Sequence, residues 1–198
     1  MSISRARFWR RIYIQFSLFL GVFSPIICWY MIPDFNPIEK PLSYFGVAKI
    51  TAWYWNASLL IISFAIYINA KKALGFYFSK KLQRTILNCL LFISFFGLFI
   101  TAIIPMDNVL LHRISASLFF LTYNFFVFCF GVFRSSKDIR KGLFSVVIGS
   151  LMLLSSLLLL PFPSYGVFEI VYGLLIFVWN REVFYKRVHK EDTFRRKN

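Results

Sequence analysis

The chain is short of acid, with eight Asp and Glu against 23 Lys and Arg among 198 residues, a formal charge of +15. Histidine is scarcer still, at two, and cysteine numbers three. An odd cysteine count without paired spacing excludes a disulfide framework and a cysteine metal site; Cys28, Cys89 and Cys129 all fall in apolar runs, where a thiol behaves as a small hydrophobe. The two histidines, His112 and His189, are expected on opposite sides of a membrane, which excludes a haem held by paired axial ligands at one depth. There is no His-Glu-x-x-His zinc helix, no Gly-x-Ser-x-Gly elbow and no phosphate-binding Walker loop, so metalloprotease, serine hydrolase and ATPase chemistry fall away. The sequence predicts no cofactor and no metal.

What the chain does have is apolar surface. It is 59% hydrophobic and 21% aromatic, a composition that a soluble domain of charge +15 would not carry. In a bilayer the two properties separate: apolar runs face lipid, and Lys and Arg collect in short connections beside anionic headgroups. That segregation also removes a nucleic-acid partner, since phosphate binding needs basic residues on one continuous surface.

Six apolar segments follow: Ile12 to Ile32, Val47 to Ala70, Thr85 to Ile104, Ile114 to Phe133, Leu143 to Leu160 and Val167 to Trp179. The first is long enough to span and lacks a small-x-small cleavage site near its end, so it reads as a retained helix. The last is short and is expected to extend through Arg181 toward Tyr185 with its charges snorkelling. Pro161 to Gly166 divides the final two by turn chemistry. The fold class expected is therefore all-α: a polytopic membrane protein of six transmembrane helices in three hairpins. Its parts are a basic N-terminus (1–11), the helical domain (12–185) and a basic tail (186–198).

Orientation comes from alternate connections. Four stretches, at the N-terminus, at Lys71 to Arg84, at Arg134 to Lys141 and from Arg181 onward, carry every Lys and Arg except Lys40, Lys49 and Arg113. The asymmetry places both termini in the cytoplasm. Each outward-going segment ends on proline, at Pro33, Pro105 and Pro161, where a helix cannot comfortably continue. Trp9, Trp29, Tyr30, Trp179 and Tyr185 are expected near the interfaces as aromatic anchors.

On the outer face lie Asp34, Glu39, Asp107 and Glu169, together with Lys40, Lys49, His112 and Arg113. Lys49, Trp53 and Asn56 are spaced by four and three, which would put them on one face of the second helix. Glu169 and Tyr172 share a face of the sixth with Gly173. Ionisable groups inside spans are costly unless paired or facing water, so Lys49 and Glu169 mark an interior or cavity-facing region; both are near helix ends, where snorkelling or an outer ion pair explains them without a ligand. His112 offers a general acid or base, or an interfacial side chain that pairs Asp107 or caps the fourth helix. Asn56, Asn88 and Asn124 are read as hydrogen-bonding between helices.

The run Pro41-Leu42-Ser43-Tyr44-Phe45-Gly46, Asn56 in the second helix, and Ile104-Pro105-Met106-Asp107 ahead of His112 resemble an uncharacterised bacterial membrane family related to the FRAG/DRAM/Sfk group, over most of residues 12 to 180. Eukaryotic relatives in that group look like lipid-associated or glycolipid-remodelling proteins. The resemblance implies that Asn56, Asp107 and His112 line a lipid-headgroup pocket, and a bacterial inner membrane as location. The first loop lacks the Ser-Asp pairing of the eukaryotic relatives, which speaks against remodelling activity here.

The expected function is binding of a lipid or a membrane-protein partner, without catalysis, through an outer pocket of Lys49, Trp53, Asn56, Asp107, His112, Arg113 and Glu169, with anionic headgroups at the cytoplasmic face as further partners. The alternatives are a lipid-modifying enzyme using His112 with Asp107 or Glu169, and a small-solute transporter with a water path past Asn56 and Asn124. No pore-lining polar row supports a channel.

Overall fold

A run of apolar residues in lipid satisfies its backbone only by closing hydrogen bonds within itself, which makes the helix the natural state of each segment. The computed structural model describes residues 3–104 and 106–185 and is helical throughout its regular structure. Six α-helices follow in order: α1 (Ile3–Met31), α2 (Ala52–Tyr77), α3 (Lys81–Ile103), α4 (Val109–Ser135), α5 (Ile139–Ser155) and α6 (Gly166–Asn180). Short 3-10 turns at Leu42–Gly46 and Ser156–Leu159 precede α2 and extend α5, and a π turn at Arg181–Tyr185 continues α6. No strand occurs among the described residues. The basic tail 186–198, with His189, and Pro105 lie outside the described residues.

Four helices are long and apolar enough to cross a membrane: α2, α3, α4 and α5 taken with its extension to Leu159. α1 contributes a shorter apolar stretch, Gln15–Met31. α6, at 15 residues, covers about 22 Å at ~1.5 Å per residue, less than the ~30 Å of a hydrocarbon core. The chain is a helical membrane protein. Successive helices pack side by side, α4 most extensively with α3 and α5, whereas α1 rests mainly on α2 and only lightly on α6.

Small residues set the closest approaches. A Cβ on Gly97 of α3 would meet the Phe119 backbone nitrogen at 2.7 Å, and one on Gly131 of α4 the Val146 nitrogen at 2.6 Å. Lipid supplies no hydrophobic drive between helices, so association depends on this close van der Waals contact and on interhelical hydrogen bonds. Asn124 donates to the Gly149 carbonyl at 2.9 Å between α4 and α5, and Thr101 donates to the Ser115 hydroxyl at 2.9 Å between α3 and α4.

Aromatic side chains fill the join between α4 and α6. Tyr123, Phe126 and Phe130 surround Trp179, and Phe120 meets Phe168 and Tyr172 edge-on. Trp179 is fully buried and its indole donates to Ser145 at 3.0 Å, so it is a core residue where an interfacial anchor was expected. Its neighbour Asn180 explains the burial: the Tyr123 hydroxyl donates to the Asn180 amide oxygen at 3.0 Å, drawing the end of α6 inward. Tyr30, 86% exposed, and Trp29 are exposed near the end of α1.

Helix α1 begins at Ile3, nine residues before its expected apolar start, so the basic N-terminal stretch is itself helical. Arginine is a good helix former, and hydropathy marks where lipid contact stops, whereas hydrogen bonding continues past it. The reverse holds at α2. Residues expected at its start instead form a turn: the Thr51 hydroxyl donates to the Phe45 carbonyl at 2.8 Å and Asn56 donates to the Gly46 carbonyl at 3.1 Å, delaying the helix to Ala52. The expected helical face of Lys49, Trp53 and Asn56 is therefore broken, with Lys49 in the turn before α2.

That turn belongs to a folded cap. Between α1 and α2 the chain buries Phe35, Leu42 and Phe45 against Cys28 of α1 and Trp55 of α2. The Ser164 hydroxyl donates to the Pro37 carbonyl at 2.8 Å, and Gly166 lies so close to the Pro37 and Lys40 carbonyls that no Cβ would fit. The cap thus covers one end of the bundle and is fastened to the start of α6.

Candidate functional site

Beneath the cap the helices do not close on one another. A cavity of about 420 Å³ lies between α1, α2, α4 and α6. Its capped end is lined by Leu42, Ser43, Trp55, His112 and Glu169, and its far end by Ser17, Asn69 and Asn180. Glu169 and Asn180 are eleven residues apart on α6, so the cavity runs along the bundle for about 16 Å. Leu59, Ile62, Ile66, Phe119, Ile170 and Phe177 make the intervening wall apolar.

A second cavity, of about 280 Å³, lies between α4, α5 and α6, with Met106, Arg113, Asn124, Ser156 and Tyr165 in its wall. Ser43, His112, Ala116, Phe120, Glu169 and Tyr172 line both cavities and so form the partition between them. The polar groups in that partition are held in place. Glu169, in the first turn of α6, accepts the Leu42 amide at 2.5 Å, with the Ser43 amide also directed at it. It therefore serves the backbone of the cap, a role that neither snorkelling nor an outer ion pair anticipates. The Tyr172 hydroxyl donates to the Phe120 carbonyl at 2.6 Å.

His112 is buried, with Nδ1 2.9 Å from the carbonyl of Ile104, the residue that follows α3. A carbonyl only accepts, so the neutral ring carries its proton on Nδ1 and leaves Nε2 as an acceptor. Capping of α4 falls to Asn108, whose side chain accepts the Leu111 amide at 3.4 Å. No hydrogen bond joins His112 to Asp107 or to Glu169 among the described residues.

Of the residues expected at a site, the structure brings His112, Arg113 and Glu169 to these cavities. The Arg113 guanidinium lies over the Tyr165 ring at 5.7 Å, which holds it at the mouth of the smaller cavity. Lys49, Trp53 and Asp107 are exposed and, with Asn56, line neither. Sequence reasoning passed over Ser17, Asn69 and Asn180. Asn69 stands next to the last residue of the apolar run drawn for the second helix, where an amide reads as interfacial; because α2 continues to Tyr77, it is interior.

Chemically, the arrangement offers a long apolar volume with acceptors at its capped end and amides at its far end. Among the described residues no three His, Cys, Asp or Glu side chains converge to hold a metal ion. No curated protein and no solved structure matches the chain. Residues 17–180 match the family described as "Protein of unknown function (DUF998)", and with that match covering most of its length the chain belongs to this family.

Proposed function

We propose that the protein binds a membrane lipid, its polar head in the partition of His112, Arg113 and Glu169 and an acyl chain in the larger cavity, without catalysing a reaction. The observation that carries this reading is the shape and lining of the larger cavity: about 420 Å³, largely apolar, and meeting a smaller polar-rimmed cavity at one end. Ligand sites of this size are mostly apolar with few convergent polar groups.

On this reading all six helices span the membrane, α6 with the help of its continuation through Tyr185, and both termini lie in the cytoplasm. The basic connections rest on anionic headgroups, and the membrane is the inner membrane of a bacterium, with kinship to the FRAG/DRAM/Sfk group resting on the pattern from Pro41 to His112. A membrane-protein partner is the alternative occupant of the outer face.

The test is lipid content. Wild type, His112→Ala and Glu169→Gln, purified identically in detergent, are compared by mass spectrometry of lipid retained per chain. The wild type should retain a defined lipid that both variants lose in large part. Equal content in all three would remove the pocket.

A further inference from the structure

Asn69 is the one feature of the larger cavity that an acyl chain alone does not explain. Its side chain is only 5% exposed, lines the far end, and makes no hydrogen bond with any described residue. The neighbouring amide of Asn180 is engaged at both of its polar atoms: its oxygen accepts from Tyr123 and its nitrogen donates to the Ile176 carbonyl at 2.8 Å. A buried amide left without partners costs roughly 1–3 kcal/mol, so such a group in the wall of a cavity implies something that pairs with it.

The chamber is also open sideways. Gly21 of α1 and Gly173 of α6 both line it, both are exposed, and nothing lies within 4 Å of the position a Cβ would take on either. They stand midway along α1 and α6, two helices that touch only lightly, so the opening faces the interior of the bilayer. Pro25, inside α1 and lining the same cavity, removes one helical hydrogen bond on that side. A charged ligand would not come by this route, and Asn69 carries no charge to receive one.

We infer that the occupant of the larger cavity is a single apolar chain bearing a neutral hydroxyl or carbonyl oxygen, which enters from the bilayer between Gly21 and Gly173 and hydrogen-bonds Asn69. This rests on the lipid-binding reading above and adds the chemistry of the bound chain and its route.

The test uses the full chain in detergent and two probes of equal length, dibromostearyl alcohol and the corresponding dibrominated hydrocarbon. Bromine quenches indole fluorescence on contact, and Trp29 and Trp55 both line the cavity. The alcohol should half-quench wild type at about one-fifth the concentration of the hydrocarbon, the worth of one ordinary hydrogen bond. Asn69→Leu should erase that difference while still binding both, and Gly21→Leu combined with Gly173→Leu should slow quenching by either probe. Equal affinity of the probes for wild type, or a preference that survives Asn69→Leu, would overturn the role of Asn69 and leave chain binding standing. Quenching unchanged in rate by the paired leucines would overturn the route. Absence of quenching by both probes would remove chain binding itself.

Discussion

The Glu169 carboxylate accepts the backbone amide of Leu42 across 127 residues of chain, joining the first turn of α6 to the cap between α1 and α2. The contact places the only acid of α6 against backbone donors that have no helical partner of their own. Glu169→Leu leaves those amides unpaired beneath the cap and should lower stability by about 1–3 kcal/mol. Glu169→Gln, which keeps an acceptor oxygen, should lose less than half of that. Thermal unfolding of the three proteins in one detergent reads the order; a leucine variant as stable as wild type would mean that the contact contributes nothing.

Two glycines in comparable helices should respond in opposite ways to the same methyl group. Gly97→Ala pushes a Cβ into the Phe119 backbone, which cannot yield without separating α3 from α4, at a cost of about 1–3 kcal/mol. Gly173→Ala meets open space and gains helix propensity, so stability should stay level or rise slightly. Unfolding midpoints measured side by side would show it, and equal losses would mean that the gap beside α6 is filled.

Periodicity and hydropathy made the six helical segments legible, and the extension of α6 toward Tyr185 with them, because apolar length is a direct consequence of burial in lipid. Lys49 shows where that reasoning stops. Its spacing to Trp53 and Asn56 fits a helix, yet the turn that excludes it is made by Thr51 and Asn56 bonding to carbonyls of Phe45 and Gly46, a local competition that residue spacing does not record. His112, Arg113 and Glu169 stood out because ionisable groups are rare in apolar runs. Asn69 did not, since its significance lies in the partners it lacks, which only packing reveals. Trp179 misled for a related reason: tryptophan is common at interfaces, and its burial follows from bonds that Ser145 and Asn180 make from different helices.

At the start of α5, Asp138 accepts the Lys141 amide at 3.3 Å and also binds the Lys141 ammonium. These hydrogen bonds hold the Asp138 carboxyl below the usual carboxylate range. A folded-state value lower than the unfolded one stabilises above the unfolded value, and that contribution is lost as pH falls through the folded one. Protection against hydrogen exchange at Lys141 and Gly142, taken relative to the intrinsic rate at each pH, should therefore fall on acidification in wild type. In Asp138→Ala it should be low already and indifferent to that acidification. Identical profiles in the two proteins would show that the cap does not hold the turn.

In the proposed topology, the direction in which the bundle crosses the membrane is set by where its charges rest. The connection between α4 and α5 and the helix turns that flank it carry Arg134, Lys137, Arg140 and Lys141 with Asp138, whereas the connection between α3 and α4 carries Asp107 and is followed by Arg113 alone. Each basic residue near an anionic leaflet is worth about 1 kcal/mol, so reversing the bundle would forfeit several at this connection alone. With the three native cysteines replaced by alanine, Asp107→Cys and Ser136→Cys place single thiols at exposed positions on opposite ends of α4. In spheroplasts an impermeant maleimide should label Asp107→Cys at once and Ser136→Cys only after permeabilisation. The reverse pattern would put the cap, with His112 and Glu169 beneath it, on the cytoplasmic side, and the lipid at the polar partition would then come from the inner leaflet.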